Sequence, residues 1–255
     1  MLSLKDIIIN AKIPFDTILN KIILPDNIKN IRIDVGLSFD APHSQNWIEN
    51  DFNNDTVVFG FEANPRWINY ITSEVKDTDF KDYHTYTKPL KYEYLYNKFF
   101  IVPVALSDVD KPTNMSFYVP EHSEGCCSLL PPNQNNILGK IINIHTVPVF
   151  NLSDFLDYIQ FDKIEYISYL KIDVQGCDIN VLKGAKNYLR DKVVYVTAEP
   201  ETEQYIGAQE NNTQNIINYM DSQSFLYINH PNTLDPTFLN KHFIYLKDTY
   251  IWQNY

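Results

Sequence analysis

The chain has 255 residues, with 21 basic and 32 acidic side chains, which gives a formal net charge of −11 at pH 7. This length is sufficient for one α/β domain with its own core, and no shift in composition indicates a second one. The acidic balance and the lack of a basic stretch with interleaved aromatic residues argue against nucleic acid and anionic membrane surfaces as partners.

The apolar runs and the cysteines exclude further classes of protein. The longest apolar runs fall far short of the roughly 20 residues that a membrane-spanning helix needs, and the N-terminus shows no signal-peptide pattern. The three cysteines, Cys126, Cys127 and Cys177, form no C-x-x-C pair, so neither a zinc knuckle nor a disulfide framework is indicated. We therefore expect a cytoplasmic protein.

Residues 1–29 are predicted as a helical lead-in to the fold. Between Pro14 and Pro25, apolar residues recur at helical spacing, at Phe15, Ile18, Leu19, Ile22 and Ile23. Asp16 stands near the start of this segment, where a carboxylate favours a helix N-terminus. The pattern predicts a packing helix that leads into a sheet.

Beyond the lead-in, the pattern changes to short apolar runs that are rich in β-branched and aromatic residues. Five such runs are predicted as strands, at 31–33, 57–61, 99–106, 167–172 and 193–198. Candidate helices at 178–189 and 212–220 have apolar residues on one face. Almost continuous apolar strands that alternate with helices are typical of a parallel sheet covered on both faces.

Two features interrupt this alternation. Strand-like segments at 115–119 and 147–150 predict an inserted pair of strands within residues 110–150, and the polar segment between them predicts a loop over the site. The late runs at 225–228 and 243–246 predict a closing antiparallel hairpin. The sequence thus predicts a single domain over residues 1–255.

A carboxylate follows each of the five predicted strands. These acids are Asp34, Glu62, Asp108, Asp173 and Glu199. In open α/β sheets the ligand crevice lies outside the carboxyl ends of the strands, so we expect the five acids to surround one crevice. Any one of them is explained as simply by the start of a solvated turn, but five in register indicate a site.

The turn after the first strand favours one kind of cofactor. Gly36 allows a tight turn and a close approach of the backbone to a ligand, and Glu62 after the second strand can accept both hydroxyls of a ribose. The segment GLSFDA has only one glycine, so it lacks the G-x-G-x-x-G pattern that cradles a pyrophosphate. S-adenosylmethionine, which carries a sulfonium and no phosphate, fits this turn better than NAD does.

Several segments, in order, resemble the motifs of FkbM-type methyltransferases. They are IRIDVG, VVFGFEANP, VPVALSD and YLKIDVQGCDINVLKGAKNYL, followed by the strand-like VVYVTAEPE. The resemblance covers roughly residues 30 to 200. It implies a Rossmann-like class I methyltransferase fold, with a mostly parallel sheet, helices on both faces and a C-terminal antiparallel hairpin. It also implies S-adenosylmethionine-dependent methylation of a hydroxyl on a sugar, glycan or related natural product.

The resemblance also implies roles for particular residues. Asp34 and Gly36 would lie under the methionine part of the cofactor, and Glu62 would hold its ribose. Ala105 and Asp108 would flank the adenine.

The chain departs from the family pattern directly after Gly36, where the family commonly has a small turn that contains Asn and Gly. Ser38 and Ser44, which lie in this divergent segment, are further candidate cofactor contacts. Ser44 is explained more simply as the N-cap of the helix that follows. The resemblance places residues 171–178 where cofactor and acceptor meet.

Asp173 and Glu199 are the candidate catalytic pair, because we expect the two strands that they follow to be neighbours. In one version, one of them accepts the proton of the acceptor hydroxyl while Gln175 and Asp178 orient the acceptor. In the other, both help to hold Mg²⁺ or Mn²⁺, which lowers the pKa of the hydroxyl. His122 in the predicted loop is a candidate acceptor contact, although a surface role is the simpler explanation.

Two other functions remain open at this stage. One is an NAD-dependent sugar-modifying oxidoreductase, which the missing glycine-rich turn disfavours. The other is a non-catalytic methyltransferase-fold binding module, which the joint presence of Asp34, Gly36, Glu62 and Asp173 disfavours. For the leading function, the expected partner is a small-molecule or glycan acceptor.

Overall fold

The computed structural model describes residues 2–51, 53–75, 88–133, 135, 137–228 and 235–246. The strands are β1 Phe15–Asp16, β2 Lys21–Ile22, β3 Asn30–Val35, β4 Thr56–Phe61, β5 Phe99–Val102, β6 Ala105–Leu106, β7 Thr113–Pro120, β8 Ile141–Phe150, β9 Ile167–Ile172, β10 Val193–Ala198, β11 Phe225–Ile228 and β12 Thr237–Asn240. The helices are α1 Leu4–Asn10, α2 Pro42–Glu49, α3 Pro65–Thr72, α4 Leu152–Leu156, α5 Asp178–Gly184, α6 Asn187–Lys192 and α7 Thr213–Ser222.

Seven of these strands form one sheet, in the order β11-β12-β10-β9-β3-β4-β5. The strands from β10 to β5 in this order are parallel, and β12 pairs antiparallel with both β10 and β11. Strands β3, β4, β5 and β10 are buried along their whole length, as expected for parallel strands covered on both faces. The predicted mostly parallel sheet with a C-terminal antiparallel hairpin is confirmed.

The core is divided between the two faces of this sheet. Successive residues of a strand point to opposite faces, and Val57 and Phe59 of β4 belong to one apolar cluster whereas Val58 belongs to another. The first cluster contains side chains of α1, α4, α5, α6 and α7, and the second contains side chains of α2 and α3. Helices therefore cover both faces, as in the Rossmann-like fold that the sequence predicts.

A second, smaller sheet is built from the inserted segment. Its order is β6-β8-β7, with β8 antiparallel to β7 and parallel to β6. Phe117, Val119 and Val147 form an apolar cluster with Cys127 and with Ala63, which lies two residues after the end of β4. Strands β7 and β8 lie within residues 110–150, where the sequence predicts an inserted pair, and their apolar face lies against the carboxyl end of the main sheet.

The predicted helix between Pro14 and Pro25 is wrong. The Asp16 carboxylate accepts hydrogen bonds from the backbone amides of Ile18 (2.8 Å) and Leu19 (3.0 Å), and this local turn competes with a helix. The chain forms a short hairpin of β1 and β2 instead, and Ile18 and Leu19 are exposed at its tip. The helix of the lead-in is α1, nearer the N-terminus.

Two other predicted elements are each two shorter elements in the structure. The run 99–106 forms β5 in the main sheet and β6 in the small sheet, because Pro103 between them has no N–H for the ladder. The helix predicted at 178–189 is divided into α5 and α6 at Lys186, whose φ of +51° is not helical.

The predicted second strand of the hairpin, 243–246, is also wrong. The strand that pairs with β11 is β12, and residues 241–246 form a 3₁₀ helix after it. In the part of the chain that the structure describes, no helix has the length and apolar character needed to span a membrane.

Asn151 joins the small sheet to the helices that cover the main sheet. This buried side chain accepts a hydrogen bond from the Val109 amide (3.0 Å) and donates one to the Val109 carbonyl (2.8 Å). The two bonds fix the loop that leaves β6 against the start of α4.

We expect Asn151→Ala to lower the free energy of unfolding by about 1–3 kcal/mol, because it leaves two part-buried backbone groups of Val109 without their side-chain partner. Urea denaturation followed by circular dichroism measures this change. Asn143→Ala, which alters an exposed asparagine of β8, serves as the control and should change it by less than about 0.5 kcal/mol. Equal midpoints for the two variants would contradict this role of Asn151.

Candidate functional site

A cavity of about 50 Å³ lies at the carboxyl ends of the parallel strands. The strand ends contribute Val35, Gly36, Ser38, Phe61, Glu62, Ala63, Val104, Ala105, Leu106, Asp173, Val174 and Gln175 to its lining. The remaining lining residues, Trp67, Phe117, Gly125, Cys127 and Leu129, come from α3 and from the inserted segment. Four of the candidate cofactor-binding residues, Gly36, Ser38, Glu62 and Ala105, thus share one cavity.

A buried lysine holds the floor of this cavity together. The Lys171 ammonium donates to the Gly36 carbonyl at 2.8 Å and lies 3.3 Å from Asp173 Oδ2 and 3.5 Å from Asp34 Oδ1. Burial lowers the pKa of Lys171, but the Asp173 and Asp34 carboxylates outweigh burial and raise the pKa above its usual value. The side chain therefore stays a cation that links the end of β3 to the end of β9.

Gly36 fits a position that no other residue could occupy. Its φ is +82°, and a Cβ atom built on it would lie 1.8 Å from the backbone oxygen of Asp173. The turn after β3 therefore needs glycine for packing against β9 as well as for access to the cavity. Ser38, two residues later, also has a left-handed φ of +57°.

Ser44 binds the carboxylate of Asp34 and does not cap the helix. Helix α2 begins at Pro42 and its N-cap is Ala41, which has no side-chain hydrogen bond. The Ser44 hydroxyl donates to Asp34 Oδ2 at 2.7 Å, and both side chains are buried. The capping explanation is therefore wrong. Neither Asp34 nor Ser44 lines the cavity; Asp34 contacts Lys171, and Ser44 holds Asp34.

Glu62 has the most strongly desolvated carboxyl of the cavity wall. Burial raises the pKa of Glu62 to about 7, although hydrogen bonds from backbone amides, including that of Asn64 at 2.7 Å, oppose the shift. The carboxyl group is therefore poised to change its charge near neutral pH, and it lies where a ligand in the cavity would meet it.

Asp173, Gln175 and Glu199 form one hydrogen-bonded group. The Gln175 amide nitrogen donates to Asp173 Oδ1 at 2.7 Å and to Glu199 Oε2 at 3.1 Å. The Gln175 amide oxygen accepts from the Tyr205 hydroxyl at 2.8 Å. Strands β9 and β10, which the sequence predicts to be neighbours, pair in parallel, so Asp173 and Glu199 follow adjacent strands. Asp173 and Gln175 line the cavity, and Glu199 reaches it through them.

The two acids of this group are in opposite states. Burial favours the neutral form of Asp173, but Lys171 and hydrogen bonds from Glu199 and Gln175 outweigh it and hold the pKa of Asp173 below its usual value. Burial and the Asp173 charge raise the pKa of Glu199 far above its usual value. At neutral pH, Asp173 is ionised and Glu199 keeps a proton that it donates to Asp173.

Asp178 is hydrogen-bonded to other parts of the chain and does not lie at the predicted position near an acceptor. Its side chain is fully buried, and its two oxygens accept from the Glu199 amide (3.2 Å) and the Asn211 side chain (3.3 Å). Burial and the nearby Asp173 charge raise the pKa of Asp178 to about 8. These bonds tie α5 to the end of β10, so the substrate-binding prediction for Asp178 is corrected.

Two other candidates lie away from the cavity. Asp108 is exposed, and its charge contributes to the raised pKa of Tyr219 on α7, where burial is the larger cause. His122 is exposed as well and lies 3.9 Å from the Glu121 carboxylate. The structure therefore does not bring Asp108 or His122 to the site, because β6 turns into the small sheet before Asp108.

Sequence reasoning placed Lys171 near cofactor and acceptor only through the resemblance, and it missed Tyr205 and His43. Lys171 is visible in the sequence as the one charge inside the apolar run YISYLKI, and such a charge needs partners. Tyr205 and His43 carry no such mark. The pKa of half-buried His43 is lowered by burial and by Lys171, and raised less strongly by Asp34 and Asp173, so its ring lies beside the same charges.

A larger cavity, of about 470 Å³, lies between α1, α3 and the small sheet. Its described lining is mostly apolar, and Lys12 is the one charged residue in it. No carboxylate of the strand ends belongs to this lining, so the chemistry of the molecule is concentrated at the smaller cavity.

Comparison with known proteins agrees with this geometry. Residues 43–227 match the family model described as the methyltransferase FkbM domain, which is more than half of the chain. The match begins in α2, after the Gly36 turn, and extends to β11. Neither a curated protein nor a solved structure matches the chain. The ordered motifs, the strand order and the matched range together show that the chain belongs to the FkbM methyltransferase domain family.

Proposed function

We propose that the protein is an S-adenosylmethionine-dependent O-methyltransferase that acts on a hydroxyl of a sugar, glycan or related natural product. One observation carries the proposal. In a chain of this methyltransferase family, the ends of three adjacent parallel strands contribute Gly36, Glu62 and Asp173 to a single cavity. The nature of the acceptor rests on the family resemblance.

The residues of the cavity suit S-adenosylmethionine. Glu62 would hold the ribose hydroxyls, the turn of Gly36 and Ser38 would accommodate the methionine part, and Ala105 would lie beside the adenine. The lining offers carboxylates and apolar surface and no glycine-rich phosphate cradle, which favours this cofactor over NAD. When bound, the cofactor supplies a methyl group on a positively charged sulfur.

Asp173 is the residue that we propose to receive the hydroxyl proton. Its side chain is about one third exposed (32%), whereas Lys171 beneath it is 7% exposed. A lowered pKa does not prevent this role, because a hydroxyl oxygen that gains a methyl group becomes a far stronger acid than any carboxylic acid. Gln175 and protonated Glu199 hold the Asp173 carboxylate in place, so they act as positioning residues.

We propose a mechanism without a metal ion over the Mg²⁺- or Mn²⁺-assisted one. Both oxygens of Asp173 already contact the chain, one with Lys171 and one with Gln175. Among the residues that the structure describes, no group of three His, Cys, Asp or Glu side chains is arranged to hold a metal ion. The donor set near Asp173 therefore fits a proton acceptor better than a metal site.

We also propose a cytoplasmic protein whose partner is a small-molecule or glycan acceptor. The cysteines Cys126, Cys127 and Cys177 are free, which suits a reducing compartment. The net charge of −11 disfavours nucleic acid and anionic membranes as partners.

The first prediction concerns Glu62 and the affinity for S-adenosylhomocysteine, the product form of the cofactor. Glu62→Gln should weaken binding about 10- to 100-fold at pH 8, because it removes charge-assisted hydrogen bonds to the ribose. Because the pKa of Glu62 is about 7, the wild-type carboxyl is ionised above pH 7 and neutral below it. Wild-type affinity should therefore fall by up to about tenfold from pH 8 to pH 6, whereas that of Glu62→Gln should stay constant.

Calorimetric titration at pH 6, 7 and 8 measures both effects, with NAD⁺ as a second titrant that should not bind. Glu165→Gln, which makes the same change at an exposed position, is the control and should bind like the wild type. Unchanged affinity in Glu62→Gln would remove this residue from the site.

The second prediction concerns the proton acceptor and the metal. Asp173→Asn should lower kcat about 10²- to 10⁴-fold, because an amide cannot accept the proton. Glu199→Gln should cost less than about tenfold, because its amide still donates to Asp173. Transfer of a labelled methyl group from S-adenosylmethionine to a panel of free and nucleotide-linked sugars and short glycans measures turnover.

The same assay decides between the two mechanisms. Activity should survive exhaustive chelation, and added Mg²⁺ or Mn²⁺ should not increase it. Asp162→Asn, at an exposed position, is the control for the aspartate substitution. Activity that disappears on chelation and returns with Mg²⁺ would replace the metal-free mechanism, and near-normal turnover in Asp173→Asn would end its assigned role.

A further inference from the structure

We propose that residues 123–127 form a lid over the cavity, and that the ion pair between Arg66 and Glu124 is the latch that keeps this lid closed. The lid would open to admit and release S-adenosylmethionine, so this part of the inference rests on the proposed function. The existence of the latch does not depend on it.

The lid forms one wall of the cavity with its own backbone. Gly125 and Cys127 line the cavity opposite the strand ends. Ser123 has a left-handed φ of +64° and begins a 3₁₀ turn, Glu124–Cys126, that carries the chain across the opening. This part of the wall therefore consists of a single turn, whereas the floor consists of buried strands.

The lid contacts α3 through one exposed ion pair and one hydrogen bond from a buried side chain. The Arg66 guanidinium pairs with the Glu124 carboxylate, and their side chains are 50% and 29% exposed. The indole nitrogen of Trp67 donates to the Glu124 carbonyl at 3.2 Å. Both of these contacts are made by Glu124, and the Tyr205 hydroxyl adds a hydrogen bond to the Cys126 carbonyl at 2.9 Å.

The segments on either side of the lid are held more firmly. On one side, the amides of Glu121 and His122 donate to the carbonyls of Lys140 and Leu138. On the other side, buried Ser128 forms two backbone bonds with Tyr118 and donates its hydroxyl to the Gln175 carbonyl at 2.6 Å. A movement confined to residues 123–127 therefore leaves the rest of the insertion in place.

The small volume of the cavity favours such a movement. A cavity of about 50 Å³ is far smaller than the roughly 300–1,000 Å³ of pockets that enclose a small ligand. The floor is built from strand ends that Lys171 and Gly36 fix to one another. Beyond its own turn, the lid is held by the Arg66–Glu124 pair and by single hydrogen bonds from Trp67, Tyr205 and Asn64, so it is the part of the wall that we expect to move.

The thiol of Cys127 provides a probe of opening that needs no cofactor. Cys127 is 7% exposed, its sulfur contacts the Asn64 side chain (3.4 Å), and burial raises the pKa of the thiol. A disulfide reagent such as dithionitrobenzoate therefore reacts with it mainly when the lid is open. Cys126→Ser and Cys177→Ala in the background leave Cys127 as the single thiol.

The test variant is Arg66→Met, which removes the latch and keeps the Glu124 charge. Labelling of Cys127 should become about two- to fivefold faster, the range by which an exposed ion pair shifts an equilibrium. Loss of a nearby positive charge would by itself raise the pKa of the thiol and slow labelling, so faster labelling reports opening. The control is Lys241→Met, which breaks the exposed ion pair with Asp221 and should label like the background protein.

Two further measurements separate the latch from unfolding. Urea denaturation should give the same midpoint for Arg66→Met and Lys241→Met. The double variant Arg66→Glu/Glu124→Arg, which restores the pair with reversed charges, should label at nearly the background rate. Labelling of Arg66→Met at the background rate, or no rescue in the double variant, would overturn the latch.

S-adenosylhomocysteine connects the lid to the proposed function. It should protect Cys127 from labelling, and in stopped-flow fluorescence Arg66→Met should speed both its association and its dissociation about two- to fivefold. Binding with unchanged rates or without protection would overturn the lid as the entrance for the cofactor. If calorimetry detects no binding at all, the proposed function fails, while faster labelling of Arg66→Met still supports the latch.

Discussion

The buried ammonium of Lys171 is the interaction on which the site depends. A charge that is removed from water is tolerated only when it is paired and hydrogen-bonded, and here the partners are the Gly36 carbonyl, Asp34 and Asp173. Two of these groups lie at the end of β3 and the third follows β9. The contacts that neutralise the ammonium therefore also fix the two central strand ends relative to each other. Through the bond from Ser44 to Asp34, the same network extends to helix α2.

Contact with the Lys171 ammonium divides the acids of the site into one whose pKa is lowered and others whose pKa values are raised. Burial favours the neutral form of each of them, so the difference arises from what opposes burial. Asp173 touches the Lys171 ammonium and its pKa is lowered, whereas the pKa values of Glu62, Asp178 and Glu199 are raised. A carboxylate beside a protonated carboxyl thus faces the cavity at neutral pH. A pair of this kind can accept one proton without bringing two negative charges together.

Much of the fold, and part of the site, follows from the sequence. Continuous apolar runs identify the parallel strands, and the acids after them identify Glu62 and Asp173, because the carboxyl ends of parallel strands share one edge. The errors have local causes. The Asp16 side chain bonds the backbone of its own turn, and Pro103 moves the following strand, and Asp108 with it, away from the main sheet. The bonds of Tyr205 and Asn211 join residues distant in the chain, so periodicity cannot reveal them.

The inserted segment contributes different residues to the cavity from those that its sequence indicates. A polar loop over a sheet is expected to meet the acceptor, but His122 is exposed and does not line the cavity, while Phe117, Cys127 and Leu129 give the lining apolar surface. An apolar wall keeps water from the carboxyl group, and burial is the main cause of the raised pKa of Glu62. In such surroundings each hydrogen bond is stronger, and each unpaired polar group is more costly, than in water. The insertion and the strand-end acids therefore act as one unit: the insertion shields Glu62 from water, backbone amides beside Glu62 satisfy part of its carboxyl group, and a ligand in the cavity is placed to supply further partners.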